Sequence, residues 1–384
     1  MPMDRTKWER KRFDEVFDLQ MGKTPDRKNF SYFGGSNLWV SIRDLTGKYI
    51  EETNEKITDK ALDDTGIKVV KKGTVIMSFK LTVGKCSIAA TDLYTNEAIM
   101  AFNLKQGFSI DSSFLYYYLQ GYKWEGANKA VMGMTLNKAT ISRQFIQIPL
   151  LPDQQIIVAE LDKLNEVIAL KRKQLADLDS LAQSLFYEMF GDPVVNEKGW
   201  EVKKMGDFSI IGDGLHGTPI YDEFGNCFFI NGNNLENGKI VITNETKKVN
   251  ESEKKKYFIE FNDNTLFVSI NGTIGKVAFF NKENIILGKS ACYIVLNDNI
   301  NKNYIMGIVK SHYFLNYVQN EYTGTTIKNV SLKSMRNFPV PLPPLSFQQS
   351  FATKVAKIEA EKQQVKASLK DLETLLASRM QYWF

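Results

Sequence analysis

Two short stretches, Thr82-Val83-Gly84-Lys85 and Thr273-Ile274-Gly275-Lys276, place a lysine directly after a glycine and a threonine three residues ahead of it. Such a Gly-Lys step can close a turn that presents the lysine to a phosphate; the same residues also make an ordinary good turn. Other short polar or basic residues fall at expected strand ends. Lys, Arg, Thr and backbone amides hold phosphates, whereas Asn, Gln and Arg can pair with base edges. The candidates for DNA contact in the first half are Lys23, Thr24, Arg27, Lys28, Arg43, Lys80, Thr82, Lys85 and Lys138. In the second half they are His216, Thr218, Asn233, Asn234, Asn271, Thr273, Lys276, Thr326 and Lys328. For each of them a solvated surface role is the alternative.

Catalytic chemistry is poorly supplied. His216 and His312 are the two histidines, and neither a CxxC nor an HxxxH spacing occurs, so no metal site and no Ser/His/Asp set is expected. Gly212-Asp213-Gly214-Leu215-His216-Gly217 fits the GxGxxG pattern, but a phosphate cradle needs a strand before it and a helix after it. Thr218-Pro219 and Tyr221-Asp222 follow instead, which is turn sequence, so the run is expected to be a loop that approaches DNA closely, with a purely structural turn as the alternative. Pro343-Pro344 is preceded by Leu342, not by the Asn or Asp of an amino-methyltransferase motif. Pro152-Asp153 with Glu160-Leu161-Asp162-Lys163 is faintly nuclease-like, yet it lies on a helix whose packing leaves little room for an open metal site.

Composition sets the class. At 384 residues, with 43% hydrophobic and 24% charged, the chain is globular, with enough apolar mass for two or three cores. A formal net charge of +5 allows a polyanionic partner without demanding one. Cys86, Cys227 and Cys292 are odd in number and far apart, which reads as reduced thiols in a cytoplasmic protein. The first dozen residues are polar and charged, unlike a secretory signal, and no run approaches the ~20 apolar residues of a membrane helix.

The elements that must position these residues are duplicated. Residues 75–85 lie opposite residues 266–276, an offset of 275 − 84 = 191. Near the same offset Trp8-Glu9 matches Trp200-Glu201, and Thr24-Pro25 matches Thr218-Pro219. Leu38-Trp39-Val40-Ser41 matches Phe228-Phe229-Ile230-Asn231, Gly133-Met134-Thr135-Leu136 matches Gly324-Thr325-Thr326-Ile327, and Ile148-Pro149-Leu150 matches Val340-Pro341-Leu342. Between these anchors the halves differ at most positions. Each half opens with about 140 residues of short β-branched and aromatic runs broken by Gly, Asn and Pro. Strands are expected at 67–70, 75–79, 86–89 and 99–104, and helices at 113–120 and 303–320.

A Pro-rich hinge and a long helix follow each module. In the first helix Leu161, Leu164, Ile168, Lys171, Leu175, Leu178, Ala182, Leu185 and Met189 alternate steps of three and four; in the second Val355, Ile358, Lys362, Val365, Leu369, Leu372, Leu376 and Arg379 do so. This seam predicts coiled-coil packing, read as an intramolecular core, with Lys171, Lys362 and Arg379 interrupting it. Phe190-Gly191-Asp192-Pro193 should end the first helix, and Tyr382-Trp383-Phe384 should pack on its own module or on the 181–190 region. The divisions expected are module 1–147, hinge and spacer helix 148–196, module 197–339, and hinge and helix 340–384. An antiparallel helix pair would act as a ruler between modules related by a pseudo-two-fold axis.

Several features in order resemble the DNA specificity subunits of type I restriction-modification systems. They are the duplicated module, Gly22-Lys23-Thr24-Pro25 and Gly217-Thr218-Pro219 near the module starts, and Pro-rich exits followed by Gln154-Gln155 or Gln348-Gln349. The helix ends at 181–190 and 375–384 complete the match, which covers essentially the whole chain. The resemblance implies a duplicated α/β (α+β) fold: two target recognition domains separated by two long antiparallel coiled-coil helices. It implies that each domain reads half of a split site in double-stranded DNA, and that the helices dock two methyltransferase (modification) subunits. Restriction subunits with nuclease or translocase activity are left open as further partners. Methylation and cleavage, with S-adenosylmethionine as cofactor, would belong to those partners, leaving this chain without a cofactor or catalysis. Divergence of the modules implies an asymmetric target. The first exit has Leu151-Pro152-Asp153 where the second has Pro343-Pro344-Leu345. The competing readings are a coiled-coil assembly scaffold with protein-binding modules and, third, a single-chain nuclease or methyltransferase.

Overall fold

The fold is taken from a computed structural model that describes residues 5–125, 128–130, 133–321 and 329–384. It contains two units, Met1–Lys171 with Ser368–Phe384, and Arg172–Ala367. Each therefore holds one module and a part of both long helices.

In the first unit a five-stranded sheet runs in the order Phe17–Met21, Ile99–Leu104, Val75–Ser78, Cys86–Ala89, Tyr49–Ile50. Neighbours are antiparallel except the last pair. Alternation along the central strand serves both faces: Val75 and Met77 join the core beneath the helix Ser112–Gly121, and Ile76 joins a second cluster with Ile99, Ala101 and Val40. The second unit repeats this with Ser209–Asp213, Ala291–Leu296, Thr265–Ser269 and Val277–Phe279, where Leu266 and Val268 face one cluster and Phe267 the other. A small three-stranded sheet accompanies each: Glu55–Ile57, Phe33–Val40 and Tyr94–Thr95 in the first, Lys248–Val249, Cys227–Ile230 and Ile285–Leu287 in the second.

Four local expectations change. Residues 67–70 form no strand; only Val70 bridges to Leu93. The stretch 303–320 is two helices, Lys302–Lys310 and His312–Asn320, because Ser311 takes an extended backbone and its hydroxyl caps the second. Part of the second Pro-rich exit is a strand, Pro339–Leu342, paired only with Glu201–Lys204, where proline's missing N–H is tolerated at an open edge. The C-terminal aromatics close the first unit instead of their own module: Phe384 stacks edge-on with Phe114 and Tyr118. The equivalent place in the second unit is taken by Phe186 and Phe190, which pack on Tyr304. The central helix stops at Phe190 as expected, with Gly191 at φ +77° donating its N–H to the Tyr187 carbonyl.

The two exits share one fastening. Gln154 is wholly buried; its amide NH2 donates to the carbonyls of Pro149 (2.9 Å) and Ser109, and its oxygen accepts from the Asp111 N–H at 2.8 Å. Gln348, 1% exposed, donates to the Pro343 carbonyl at 2.8 Å and accepts from the Asn301 N–H at 2.8 Å. Asp111 and Asn301 are the N-cap residues of Ser112–Gly121 and Lys302–Lys310. One side chain thus ties the start of each long helix to the end of a module helix. The long helices, Leu151–Phe190 and Leu345–Trp383, begin at equivalent leucines, and Pro152 sits in the first turn where no N–H partner is lost. This corrects the expected register of the exits by two residues: Glu9 pairs with Ile148 and Glu201 with Leu342, so Ile148 answers to Leu342 and Pro149 to Pro343.

Within the second unit the long helices run antiparallel. Phe190 meets Phe351, and further along Leu178 packs with Ile358 and Val365, flanked by Leu175 and Leu185. Of the seam residues in the first unit, Leu161 and Ile168 are buried and Leu164, Leu369, Leu372 and Leu376 are half-buried. Leu376 and Leu161 share that unit's core, where Arg379 and Trp383 hydrogen-bond Glu160. The Arg379 contact holds the Glu160 carboxyl below its ordinary pKa. Val355 is buried against Phe186 and Phe351 in the second unit's core. Of the three charged seam positions, Lys171, Lys362 and Arg379, the buried one is Lys362, 4% exposed, where the first helix has Ile168 (362 − 168 = 194). Burial opposes its charge, but Asp179 at 2.6 Å and Glu359 at 2.7 Å outweigh that and raise its pKa.

Two stability outcomes follow from these contacts. Gln348→Ala or Gln154→Ala should cost about 2 kcal/mol or more, since buried polar partners are left unpaired, while Gln349→Ala and Gln155→Ala, both exposed, should leave the thermal midpoint unchanged by circular dichroism. Lys362→Ile should hold or raise that midpoint, because Asp179 and Glu359 reach solvent once released.

Candidate nucleic-acid interface

Strand registers gather the candidate residues at one end of each main sheet. In the first unit Met21 pairs with Met100 and Ser78 with Ile99, and Met77 with Cys86. Three connections therefore leave the sheet side by side: 22–24, 79–85 and 96–98. Gly22 donates to the Ile99 carbonyl and Phe79 to the Ala98 carbonyl, which locks them together. Asn96 donates to the Val40 carbonyl, which brings the turn Ile42–Asp44 and Arg43 to the same end; Leu136 donates to the Phe79 carbonyl, which brings Lys138, the first residue of Lys138–Arg143.

The second unit has the same frame. Asp213 pairs with Cys292, Ser269 with Ala291, and Val268 with Val277, so 214–218, 270–276 and 288–290 emerge together. The turn Gly232–Asn234 joins them through the Gly232 N–H, which donates to the Ser290 hydroxyl at 2.8 Å. Val330 donates to the Ile270 carbonyl, as Leu136 does to Phe79.

The Thr-x-Gly-Lys element forms the same turn in both units, fastened by a serine that reading of the sequence overlooked. Ser269, fully buried, donates its hydroxyl to the Thr273 carbonyl at 2.6 Å and accepts the Lys276 N–H at 2.9 Å; its carbonyl accepts from Gly275. Ser78, also fully buried, donates to the Thr82 carbonyl and accepts from Gly84 through its own carbonyl. Gly84 and Gly275 sit at φ +90° and +86°, which a side chain would strain. The signal was present, since both serines fall at the offset of 191. Lys85 is exposed and Lys276 half-buried.

Several other candidates are already engaged. The Lys23 ammonium donates to the Thr65 carbonyl at 2.6 Å, and Thr24 donates to Glu97. Arg27 bridges to Glu55 at 2.8 Å over the rings of Phe33 and Trp39, and that hydrogen bond raises the pKa of Arg27. Lys80 lies over the Phe79 ring, and His216 contacts Asp213 at 2.7 Å. Asn234 caps its own turn, accepting from the Asn231 N–H and donating to the Val241 carbonyl. Lys28, Arg43, Thr82, Lys138, Thr218, Asn233 and Thr273 are exposed or nearly so, and Asn271 is half-buried beside its bridge to Asn329. Thr326 and Lys328 lie outside the described residues. Arg43 and Asn233 occupy the same place in equivalent turns, so one half presents a guanidinium where the other presents an amide. Lys289, exposed on the second sheet end, was missed; nothing in its local sequence marks it.

Gly212 and Gly214 serve close packing. A Cβ on Gly214 would stand 1.9 Å from the Leu287 carbonyl oxygen, and one on Gly212 would strike the Tyr293 ring. A strand precedes this glycine run but no helix follows it before the turn at Gly232–Asn234. Among the described residues no cluster of three or more His, Cys, Asp or Glu is placed to hold a metal, and no helix is long and apolar enough to cross a membrane. Cys86, Cys227 and Cys292 are buried and unbridged, and burial raises the pKa of each thiol.

Comparison with known proteins decides the family. The model of the type I restriction modification DNA specificity domain matches twice, over residues 5–180 and 197–373. The chain belongs to this family of specificity subunits. It is 25% identical over 373 residues to the type I restriction enzyme MjaIX specificity subunit of Methanocaldococcus jannaschii, covering 90% of this chain and 85% of that protein. Two solved structures share the fold. One is the S subunit of a type I restriction-modification system from M. genitalium, with TM-score 0.55, 14% identity, and 98% and 96% of the two chains covered. The other comes from work on complex assembly and conformational transition of the type I system, with TM-score 0.61, 17% identity, and 97% and 96% covered. The duplicated module with two long helices is thus the architecture of the family.

The two anchored turns yield a direct measurement. Lys85→Ala combined with Lys276→Ala should weaken binding to every DNA sequence alike and lower the slope of log K against log salt by about two. An unchanged slope would remove both lysines from the phosphate contacts.

Proposed function

We propose that this specificity subunit reads a bipartite, asymmetric site in double-stranded DNA, one half with each sheet end, and carries out no chemistry itself. The observation that supports this most is the recurrence of the serine-anchored turn at the same sheet end of both units, surrounded by side chains that differ between them. A shared frame with different polar tips suits two readers of different half-sites. In this reading the recognition domains are residues 1–147 and 197–339. The helices of 40 and 39 residues, with their hinges, set the number of base pairs between the half-sites and dock two modification subunits. S-adenosylmethionine and methyl transfer belong to those subunits, with restriction subunits as further partners, and the complex works in the cytoplasm.

Retention of random DNA on the purified complex, followed by sequencing, should return two different short motifs at one fixed spacing. No enrichment would favour an assembly scaffold whose modules bind protein. The isolated chain should neither transfer methyl groups nor cleave DNA, and activity without partners would overturn the non-catalytic assignment.

A further inference from the structure

The two anchored turns differ at their tips. In the first, Leu81 stands at φ +66° between Lys80 and Thr82, and the Thr82 N–H donates back to the Lys80 carbonyl at 2.7 Å. This is a three-residue γ-turn with a bulky residue at its centre, a conformation that is rare and strained outside glycine. The equivalent position in the second unit is Gly272 at φ +74°, where glycine takes the positive φ without that strain. Leu81 gains little shelter in return, since it is 53% exposed. A leucine that is both strained and half in water stabilises the free protein less than glycine would at this place. Its neighbours Lys80, Thr82 and Lys85 are candidates for DNA contact, and the turn beneath is held by the buried Ser78.

We infer that Leu81 is a specificity-determining residue of the first half-site, making an apolar contact with a base. The group on a base edge that an alkyl side chain recognises is the 5-methyl of thymine in the major groove. This rests on the DNA-reading function proposed above and deepens it. Lys80, Thr82 and Lys85 bring the turn to the backbone, and Leu81 projects from its tip into the groove. Gly272 supplies no such contact, so the second half-site is read without one.

The experiment uses the purified complex with wild-type chain, Leu81→Gly and Leu81→Asn, the latter because asparagine tolerates a left-handed backbone and removes the apolar contact. Each is passed through the random-DNA retention assay, with a salt titration and a thermal melt. Both variants should lose about tenfold discrimination at one base pair of one half-site, as expected for one lost base contact. The other half-site and the salt slope should be unchanged, and the thermal midpoint of Leu81→Gly should be equal or higher. Wild-type motifs retained in both half-sites by both variants would overturn the inference and leave the DNA-reading function standing. Equal loss at both half-sites, or a lowered midpoint with Leu81→Gly, would make Leu81 structural and overturn it too. No motif from the wild-type complex would overturn the DNA-reading function and the inference together.

Discussion

A buried glutamine amide governs how each module passes into its long helix. Gln154 and Gln348 must donate and accept at once, donating to a proline carbonyl at the exit and accepting from the N-cap residue of a module helix. A carboxylate offers no donor and a methionine neither group, so among side chains of this length only an amide closes both bonds without leaving a buried polar atom unpaired. The long helix thereby leaves its module as a fixed extension. Everything the helices do, from burying the seam to carrying aromatic residues into a module core, depends on that start.

The seam was legible because its period follows from helix geometry and its residues are apolar whichever neighbour covers them. What covers them was less legible. Trp383 and Phe384 pack into the first unit's core, beside a helix more than 260 residues earlier in sequence, and no local pattern carries that pairing. Lys362 read as an interruption. In the fold its charge is met by Asp179, on the other long helix, and by Glu359 one turn back, so the seam continues through it. Two of the differences have a local cause: the cap formed by Ser311 splits 303–320 into two helices, and an open strand edge accommodates the prolines at 339 and 341.

At the sheet ends, residue type and spacing picked out loops that the fold gathers side by side but could not tell a free side chain from an engaged one. Arg27 and Lys23 have the composition of phosphate contacts, yet one is held by Glu55 and the other by the Thr65 carbonyl. Those partners are 28 and 42 residues away in sequence, so only the fold reveals them. The duplication helped where single motifs did not. A serine that means nothing alone becomes an anchor when the same hydroxyl bonds the same carbonyl in both halves.

Those anchors also explain how the halves could diverge. Ser78 and Ser269 hold their turns through backbone carbonyls and amides, and the glycines that follow need only their φ. None of these bonds depends on the side chain at the tip, so leucine and glycine can occupy the same place on the same frame. The turns Ile42–Asp44 and Gly232–Asn234 work likewise: the third side chain caps the turn by accepting an N–H, and the middle residue, Arg43 or Asn233, is released to solvent. Structure is carried by backbone bonds from a few buried or capping side chains, and chemical variety by the residues between them. That separation allows one half to change its surface without disturbing the frame that it shares with the other.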